Sequence, residues 1–305
     1  MRPGPSNTKV PSNFLGLPPD LSDPQSARFV VLPAPYDGTT TFLKGTRHGP
    51  GAVITASQQV ELYDDELGEE IVRSAGVATL PAPRLDGLLP EAVADILEAL
   101  AAPHLAAGRT LVTVGGEHSV SLGPIRALKK LTPRLTVLQV DAHCDLRDEY
   151  AGTRHGHACV MRRVLEDVGA FVVQVGVRAL SREEACLVAA ERVKTFFARD
   201  LAREFASAIP RVISAVSTPH VYLSVDVDGF DPSVVPGTGT PEPGGLGWWD
   251  VLALARALAS ARRILAFDVV ETLPSAGQVV SEFAAARLIY KIMGYVVRGA
   301  GWRPA

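Results

Sequence analysis

The feature that most constrains this chain is a buried-strand pattern that runs directly into alternating acidic and imidazole side chains. Residues Leu135–Val140 form a short apolar run typical of a strand covered on both faces. Asp141, His143 and Asp145 follow at every second position, and alternate residues of an extended chain share one side at intervals of about 6.6 Å. A divalent cation accounts for two carboxylates and an imidazole gathered at a strand end. A solvated acidic turn is the alternative interpretation of this stretch on its own.

Strand patterns alternate with helix patterns along most of the chain. Further strands are predicted at 28–32, 110–114, 171–175, 193–197, 220–225 and 264–270, and helices at 51–63, 91–107, 120–130, 157–166, 181–192, 199–216, 248–260 and 278–297. This order predicts an α/β fold of three layers, a mostly parallel sheet with helices on both faces. The length of 305 residues allows two domains, but no linker pattern interrupts the series, so we expect one domain over 28–305. Residues 1–27 carry six prolines and are expected to form an irregular arm on the surface or on a neighbouring subunit.

The composition is that of an ordinary globular protein. Hydrophobic residues make up 47% and charged residues 21% of the chain, and the net charge is −3 without a basic block, which argues against a nucleic-acid partner. Neither a bilayer-spanning apolar run nor a signal peptide is recognised. Cys144, Cys159 and Cys186 lack metal-ligand spacing, so we expect free thiols in a reducing, cytoplasmic compartment.

Polar residues follow four of the predicted strands directly. These clusters are Glu117 with His118, Asp141 to Asp145, Asp226 with Asp228, and Glu271. Ligands of open parallel sheets bind beyond the carboxyl ends of the strands, so we expect the four clusters to meet there. The candidate metal ligands among them are His118, Asp141, His143, Asp145, Asp226 and Asp228.

Two divalent cations suit this set better than one. Four neighbouring aspartates would repel one another, and two divalent ions balance their charge. Six side chains also exceed the three or four ligands that a single tetrahedral zinc takes. Oxygen-rich coordination favours Mn²⁺ ahead of Zn²⁺, with Fe²⁺ or Co²⁺ as alternatives. Two such ions activate water as a nucleophile at neutral pH, so the set predicts metal-assisted hydrolysis.

From about residue 28 to its end the chain resembles the ureohydrolases, the arginase and agmatinase family. The motifs that carry the resemblance, in the family's order and spacing, are Gly115-Gly-Glu-His-Ser119, Asp141-Ala-His-Cys-Asp145, Ser224-Val-Asp-Val-Asp-Gly-Phe-Asp-Pro232 and Gly237-Thr-Gly-Thr-Pro241. Pro35-Tyr-Asp-Gly-Thr-Thr40 with Gly45-Thr-Arg47 looks closer to agmatinases than to arginases. Glu117 departs from the pattern, because many relatives carry Asp beside the first histidine.

The resemblance implies an arginase-like fold and two Mn²⁺ ions per chain. One ion would be held by His118, Asp141, Asp145 and Asp226, and the other by Asp141, His143, Asp226 and Asp228. Asp141 and Asp226 would bridge the ions, and a bridging hydroxide would attack the guanidinium carbon and release urea. A homotrimer or homohexamer is implied as well.

The resemblance also assigns catalytic roles. Glu271 matches the carboxylate that holds the guanidinium group, although a strand-end glutamate paired with an arginine is the alternative. His157 matches the mobile proton-transfer histidine, and imidazole suits that role at neutral pH. His155 is its rival, and a solvated loop histidine is a further alternative. Asp145 joins His157 and Glu271 as a catalytic residue.

The loop at 146–156 predicts the substrate's tail. Arginases resemble one another in a loop rich in Ser and Asn that binds the α-carboxylate and α-amine, and the loop here has neither residue type. Asp148 and Glu149 would attract an ammonium group, which predicts agmatine as the substrate and putrescine and urea as products. Arg147 and Arg154 leave a guanidino acid open as the alternative. Two other functions are a single-zinc deacetylase of similar fold and a non-catalytic relative that binds metal or a partner protein.

Overall fold

Eight parallel strands form one sheet in the computed structural model, which describes residues 12–300. The strands are β1 (Phe29–Ala34), β2 (Val77–Thr79), β3 (Thr110–Gly115), β4 (Leu135–Val140), β5 (Phe171–Val177), β6 (Lys194–Phe197), β7 (His220–Asp226) and β8 (Arg263–Val270). Their order across the sheet is β2-β1-β3-β8-β7-β4-β5-β6. The three-layer α/β prediction is confirmed.

Helices cover both faces of the sheet. They are α1 (Pro19–Ser22), α2 (Gly49–Ser57), α3 (Val72–Ala75), α4 (Pro90–Ala106), α5 (Leu122–Leu131), α6 (Val160–Arg163), α7 (Arg182–Ala189), α8 (Ala198–Leu201), α9 (Phe205–Ala215), α10 (Trp248–Ala261) and α11 (Val280–Arg298). Within 12–300, no helix is both long enough and apolar enough to cross a bilayer.

The alternation of side chains along each strand divides the core into two layers. In β1, Phe29 and Val31 pack into a cluster with α2, α9, α10 and α11. The intervening residues Val30 and Leu32 pack on the opposite face against α4, α5 and α6. Strands buried on both faces have no polar side, which explains why they read as nearly continuous apolar runs.

The four strands that precede the polar clusters are neighbours at the centre of the sheet, in the order β3-β8-β7-β4. Val269 of β8 pairs with both Val114 of β3 and Val225 of β7, and Val225 pairs in turn with Val140 of β4. Because these residues lie at the same level of a parallel sheet, the residues that follow them emerge at one edge.

The described part of the N-terminal segment contributes three apolar side chains to the core instead of lying wholly on the surface. Residues 1–11 of the expected arm lie outside the described residues, but Phe14, Leu15 and Leu17 are buried. The backbone N–H of Phe14 donates to Thr79 Oγ1 at 2.9 Å, and that of Leu15 donates to Ser57 Oγ at 2.8 Å. These contacts tie the segment to β2 and α2.

We expect Phe14→Ala to lower the free energy of unfolding by about 3–5 kcal/mol, because it leaves a cavity in a close-packed layer. Phe171, which starts β5 with 55% of its surface exposed, provides a matched control. Urea titration followed by circular dichroism would measure both variants. Equal losses for Phe14→Ala and Phe171→Ala would show that the N-terminal segment contributes nothing to the core.

Candidate metal centre and catalytic cavity

His118 lies at the centre of a buried cluster of carboxylates. Its Nδ1 atom is 3.1 Å from Asp141 Oδ2, 3.0 Å from Asp145 Oδ2 and 3.5 Å from Asp226 Oδ2. Despite these distances, Nδ1 is a buried atom that forms no hydrogen bond of good geometry within the described chain. A buried nitrogen facing three carboxylate oxygens is the arrangement that a cation between them would satisfy.

The other ring nitrogen of His118 is fixed from behind. Its Nε2 lies 2.9 Å from Ser224 Oγ, and Ser224 Oγ donates to Asp268 Oδ1 at 2.8 Å. Since the serine hydrogen is used on Asp268, His118 Nε2–H is the donor to the serine oxygen. Nδ1 is therefore the nitrogen available as a metal ligand.

A second cluster is centred on His143 and shares Asp141 with the first. His143 Nδ1 lies 3.0 Å from Asp228 Oδ2 and 3.6 Å from Asp141 Oδ1. Among residues 12–300, two groups of side chains could hold an ion: His118 with Asp141 and Asp145, and Asp141 with His143 and Asp228. Five of the six predicted ligands thus form these groups, with Asp141 common to both. Asp226 belongs to neither group, but its Oδ2 lies 3.5 Å from His118 Nδ1.

Backbone hydrogen bonds hold the aspartates of the β7 end in place. The Asp228 N–H donates to Asp226 Oδ1 at 2.9 Å, and the Ala142 N–H donates to Asp228 Oδ1 at 3.0 Å. Gly229 packs so closely here that a Cβ atom would lie 2.9 Å from the backbone nitrogen of Asp141. The loops after β4 and β7 are therefore locked against each other.

The carboxylate side chains of the cluster repel one another electrostatically. Burial and repulsion by Asp141 raise the pKa of Asp145 to about 7, and burial together with neighbouring carboxylates raises the pKa of Asp226 and Asp228. Burial alone would lower the pKa of His143, but the carboxylates around it outweigh burial and raise that pKa to about 12. Divalent cations would relieve the repulsion and replace the imidazolium protons, so the donor set fits two metal ions.

Two site residues adopt strained backbone conformations. Asp145 has φ 53° and Glu271 has φ 62°, both in the left-handed region. Such a conformation costs roughly 1–3 kcal/mol in a residue with a side chain, and it persists where the surroundings fix it. In Glu271 the N–H donates to Gly116 O at 2.7 Å and the side chain accepts from the His118 N–H at 2.8 Å. These contacts aim the carboxylate at the cavity.

A cavity of about 340 Å³ opens over the cluster, within the range of small-molecule sites. Glu271 and His157 both line it, whereas His155 turns away and its Nδ1 lies 3.0 Å from Glu91 Oε1. Among the described residues, no arginine forms an ion pair with Glu271. The alternative interpretation, a strand-end glutamate paired with an arginine, is therefore not supported. Burial and the positive charge of His143 lower the pKa of His157 to about 4, so its ring is neutral at neutral pH.

The structure does not place the two predicted tail residues in the cavity. Asp148 Oδ1 accepts from the fully buried Arg163 and from Arg154, both at 2.7 Å, and Glu149 is exposed. Asp148 does not line the cavity because its carboxylate is paired with these two arginines. The carboxylates that line the cavity beside the predicted ligands and Glu271 are those of Glu184 and Glu242.

Sequence reasoning missed residues that support the site from a distance. Arg178 donates to the backbone oxygens of Asp228, Phe230 and Glu242, and thereby joins the β7 loop to the loop that follows it. No local pattern marks such an arginine. Glu184 carried one signal, because Ser181 and Glu184 have the spacing of a helix capping box, which the structure contains.

Comparisons with known proteins agree with this geometry. Residues 27–294 match the model of the arginase family. A Synechocystis protein named N(1)-aminopropylagmatine ureohydrolase is 42% identical, covering 88% of this chain and 89% of its own. The agmatinase of Pyrococcus horikoshii is 34% identical, covering 90% and 94%. The crystal structure of agmatine ureohydrolase of Thermoplasma volcanium superposes with a TM-score of 0.81 at 32% identity, covering 89% of this chain and 90% of that one.

Proposed function

The chain belongs to the arginase family of ureohydrolases, and we propose that it hydrolyses agmatine to putrescine and urea with two Mn²⁺ ions. The observation that carries this proposal is that a single cavity is lined by Glu271, by His157 and by members of both ligand groups. Those members are Asp145 of the first group and His143 and Asp228 of the second. Metal ions bound by the six side chains would polarise the guanidinium group and lower the pKa of water. Their identity and number are parts of the proposal.

The protein's own residues account for orientation and proton transfer. Glu271 is the proposed partner of the guanidinium group, because its carboxylate is buried and is held toward the cavity by the hydrogen bond from the His118 N–H. Water oxygen bonds to the guanidinium carbon and the bond from that carbon to the alkylamine nitrogen breaks. The neutral ring of His157 takes the proton released by the attacking water and delivers it to the departing amine. The remaining hydroxyl proton also passes to the amine as the carbonyl of urea forms, so that the products are urea and an alkylammonium ion.

The tail of the substrate would meet acidic groups. Glu184 and Glu242 replace Asp148 and Glu149 as the proposed partners of an ammonium group, because they line the cavity. The carboxylate of Glu184 already accepts from the backbone N–H groups of Leu146 and Ser181. Glu242 is half-buried, and within the part of the chain that the structure describes its hydrogen bonds are made by its backbone oxygen. Glu242 is therefore better able to bind a ligand.

N(1)-aminopropylagmatine is the second candidate substrate. The Synechocystis relative at 42% identity carries that name, and removal of urea from this compound would leave spermidine. Its second ammonium group would require an additional acidic partner, and the cavity contains two outside the metal site and Glu271.

Urea release from Mn²⁺-loaded protein would test the proposal. We expect kcat/KM for agmatine to exceed that for N(1)-aminopropylagmatine, because Glu184 is occupied by backbone N–H groups and Glu242 alone would be available for an ammonium group of the tail. The reverse order would assign the longer substrate, and no urea from either compound would refute both.

We expect His157→Ala to lower kcat by at least about 10²-fold, the lower range for loss of a general acid–base group. Metal content should be unchanged, because His157 belongs to neither ligand group. His155→Ala is the matched control and should change kcat little, since His155 pairs with Glu91. Steady-state kinetics with metal analysis would check both, and a larger loss in His155→Ala would reverse the assignment.

A homotrimer or homohexamer is a further part of the proposal and rests on the family resemblance alone. Light scattering of the purified protein would measure the mass of the assembly. A monomer would contradict it.

A further inference from the structure

A buried carboxylate that the reaction does not use lies behind His157. Glu117 is completely buried, and it accepts hydrogen bonds from the Thr39 N–H at 2.6 Å, from Thr39 Oγ1 at 2.6 Å and from Ser119 Oγ at 2.5 Å. The same Thr39 hydroxyl contacts His157 twice, lying 3.0 Å from its backbone nitrogen and 3.2 Å from its ring Nδ1. Glu117, Thr39 and His157 thus form one chain of hydrogen bonds that leads to the cavity.

Counting donors along this chain fixes the direction of each bond. A hydroxyl has one hydrogen and two lone pairs, and a carboxylate only accepts. The Thr39 hydroxyl therefore donates its hydrogen to Glu117, which is nearer than the His157 ring. Toward His157 the Thr39 hydroxyl oxygen can only accept. One lone pair of the Thr39 oxygen accepts from the backbone N–H of His157. The other can accept from the ring only if Nδ1 carries a hydrogen.

We propose that Glu117 and Thr39 are positioning residues that hold the neutral His157 ring with its hydrogen on Nδ1, so that Nε2 is the nitrogen that exchanges the transferred proton. This inference rests on the proposed role of His157 and deepens it. In many enzymes a further group orients the side chain that acts as acid or base. Glu117 and Thr39 would orient His157 in the same way.

The fold places Thr39 for this role at a point where two loops cross. Glu117 N–H donates to Tyr36 O at 2.8 Å, and a Cβ atom on Gly116 would lie 2.0 Å from that same oxygen. Only glycine permits this approach. Asp37 then closes the loop, since its carboxylate accepts from the Gly45 N–H at 2.9 Å and from Arg47 Nε at 2.8 Å.

Two substitutions should alter the His157 tautomer in different ways. Thr39→Val removes the acceptor and should release the ring to both tautomers. In Glu117→Gln the amide oxygen would keep the Thr39 N–H, and the amide hydrogens would donate to the Thr39 oxygen. The hydroxyl hydrogen would then turn to Nδ1, which should move the ring hydrogen to Nε2.

¹⁵N NMR of histidine-labelled full-length chain, loaded with diamagnetic Zn²⁺ and assigned with His157→Ala, would measure the tautomer. We expect the Nδ1–H form in the wild type and in Thr39→Ser, and the Nε2–H form in Glu117→Gln. An Nε2–H wild type would overturn the inference. Because this measurement needs no substrate, it stands even if the proposed function fails.

Kinetics would test the consequence for catalysis. Thr39→Val should lower kcat about 10–100-fold with KM changed less than about threefold, while Thr39→Ser retains most activity. In the His157→Ala background, Thr39→Val should cause no further loss, because the residue acts through His157. A loss that persists in that background, or one matched by the exposed control Thr55→Val on α2, would show a structural role only.

Discussion

Asp141→Ala is expected to abolish the binding of two metal ions and to lower kcat by at least about 10³-fold, because metal ions contribute several kcal/mol to such hydrolysis. Asp141 is common to both ligand groups, with Oδ2 at 3.1 Å from His118 Nδ1 and Oδ1 at 3.6 Å from His143 Nδ1. Its removal takes a ligand from both ions at once. His118→Ala takes a ligand from one ion and should lose less metal.

Metal analysis after Mn²⁺ loading and dialysis would measure this effect. We expect two ions per chain in the wild type, fewer than one in Asp141→Ala and an intermediate value in His118→Ala. Asp200→Asn is a suitable control, because this exposed aspartate on α8 is remote from the site. Saturation of the wild type at one ion, or two ions retained by Asp141→Ala, would contradict the binuclear proposal.

The metal cluster could be predicted because its information is local in the sequence. Each ligand lies within five residues of the end of a buried strand, and parallel strands bring their carboxyl ends to the same edge of the sheet regardless of the length of the intervening loops. Asp141 and Asp228 therefore lie in one site. The N–H of Ala142, the residue after Asp141, donates to Asp228 Oδ1 although the two residues are 86 positions apart.

Residues in long loops could not be placed in this way. Asp148 was expected to face the substrate, but its direction is set by Arg163, which lies 15 positions further along and is buried. Thr39 and Glu117 are 78 positions apart, and their contact depends on the crossing of two loops. No period or motif encodes such a contact.

Element boundaries failed where tertiary contacts compete with helical hydrogen bonds. The helix predicted over 51–63 ends at Ser57, because the Ser57 hydroxyl, which accepts from the Leu15 N–H, donates to Ile54 O at 2.6 Å, the carbonyl that the Gln58 N–H would use in a continuing helix. The N–H groups of Gln58, Gln59 and Val60 donate instead to carbonyls three residues back. The three-residue strand β2 is too short for an alternating pattern to be recognised, and it was not predicted.

Agmatine should be preferred over arginine by at least about 10³-fold in kcat/KM, because the cavity offers poor partners for a carboxylate. Arg147 is the one arginine among the described residues that lines the cavity, and its guanidinium lies 4.5 Å from the centre of the Tyr150 ring, over its face. Arg178 is occupied by backbone oxygens. An unpaired buried carboxylate costs several kcal/mol, and about 1.4 kcal/mol corresponds to each factor of ten.

Substrates and variants together can separate attraction for the ammonium from rejection of the carboxylate. Glu242→Gln should raise KM for agmatine about tenfold while leaving KM for butylguanidine, which has no tail charge, unchanged. Glu149→Gln is the matched control and should alter neither, because Glu149 is exposed outside the cavity. Comparable kcat/KM for arginine and agmatine would refute the prediction. A preference for 4-guanidinobutyrate would instead assign Arg147 to the tail. The carboxylate of that compound would be attracted by a cation and repelled by Glu242.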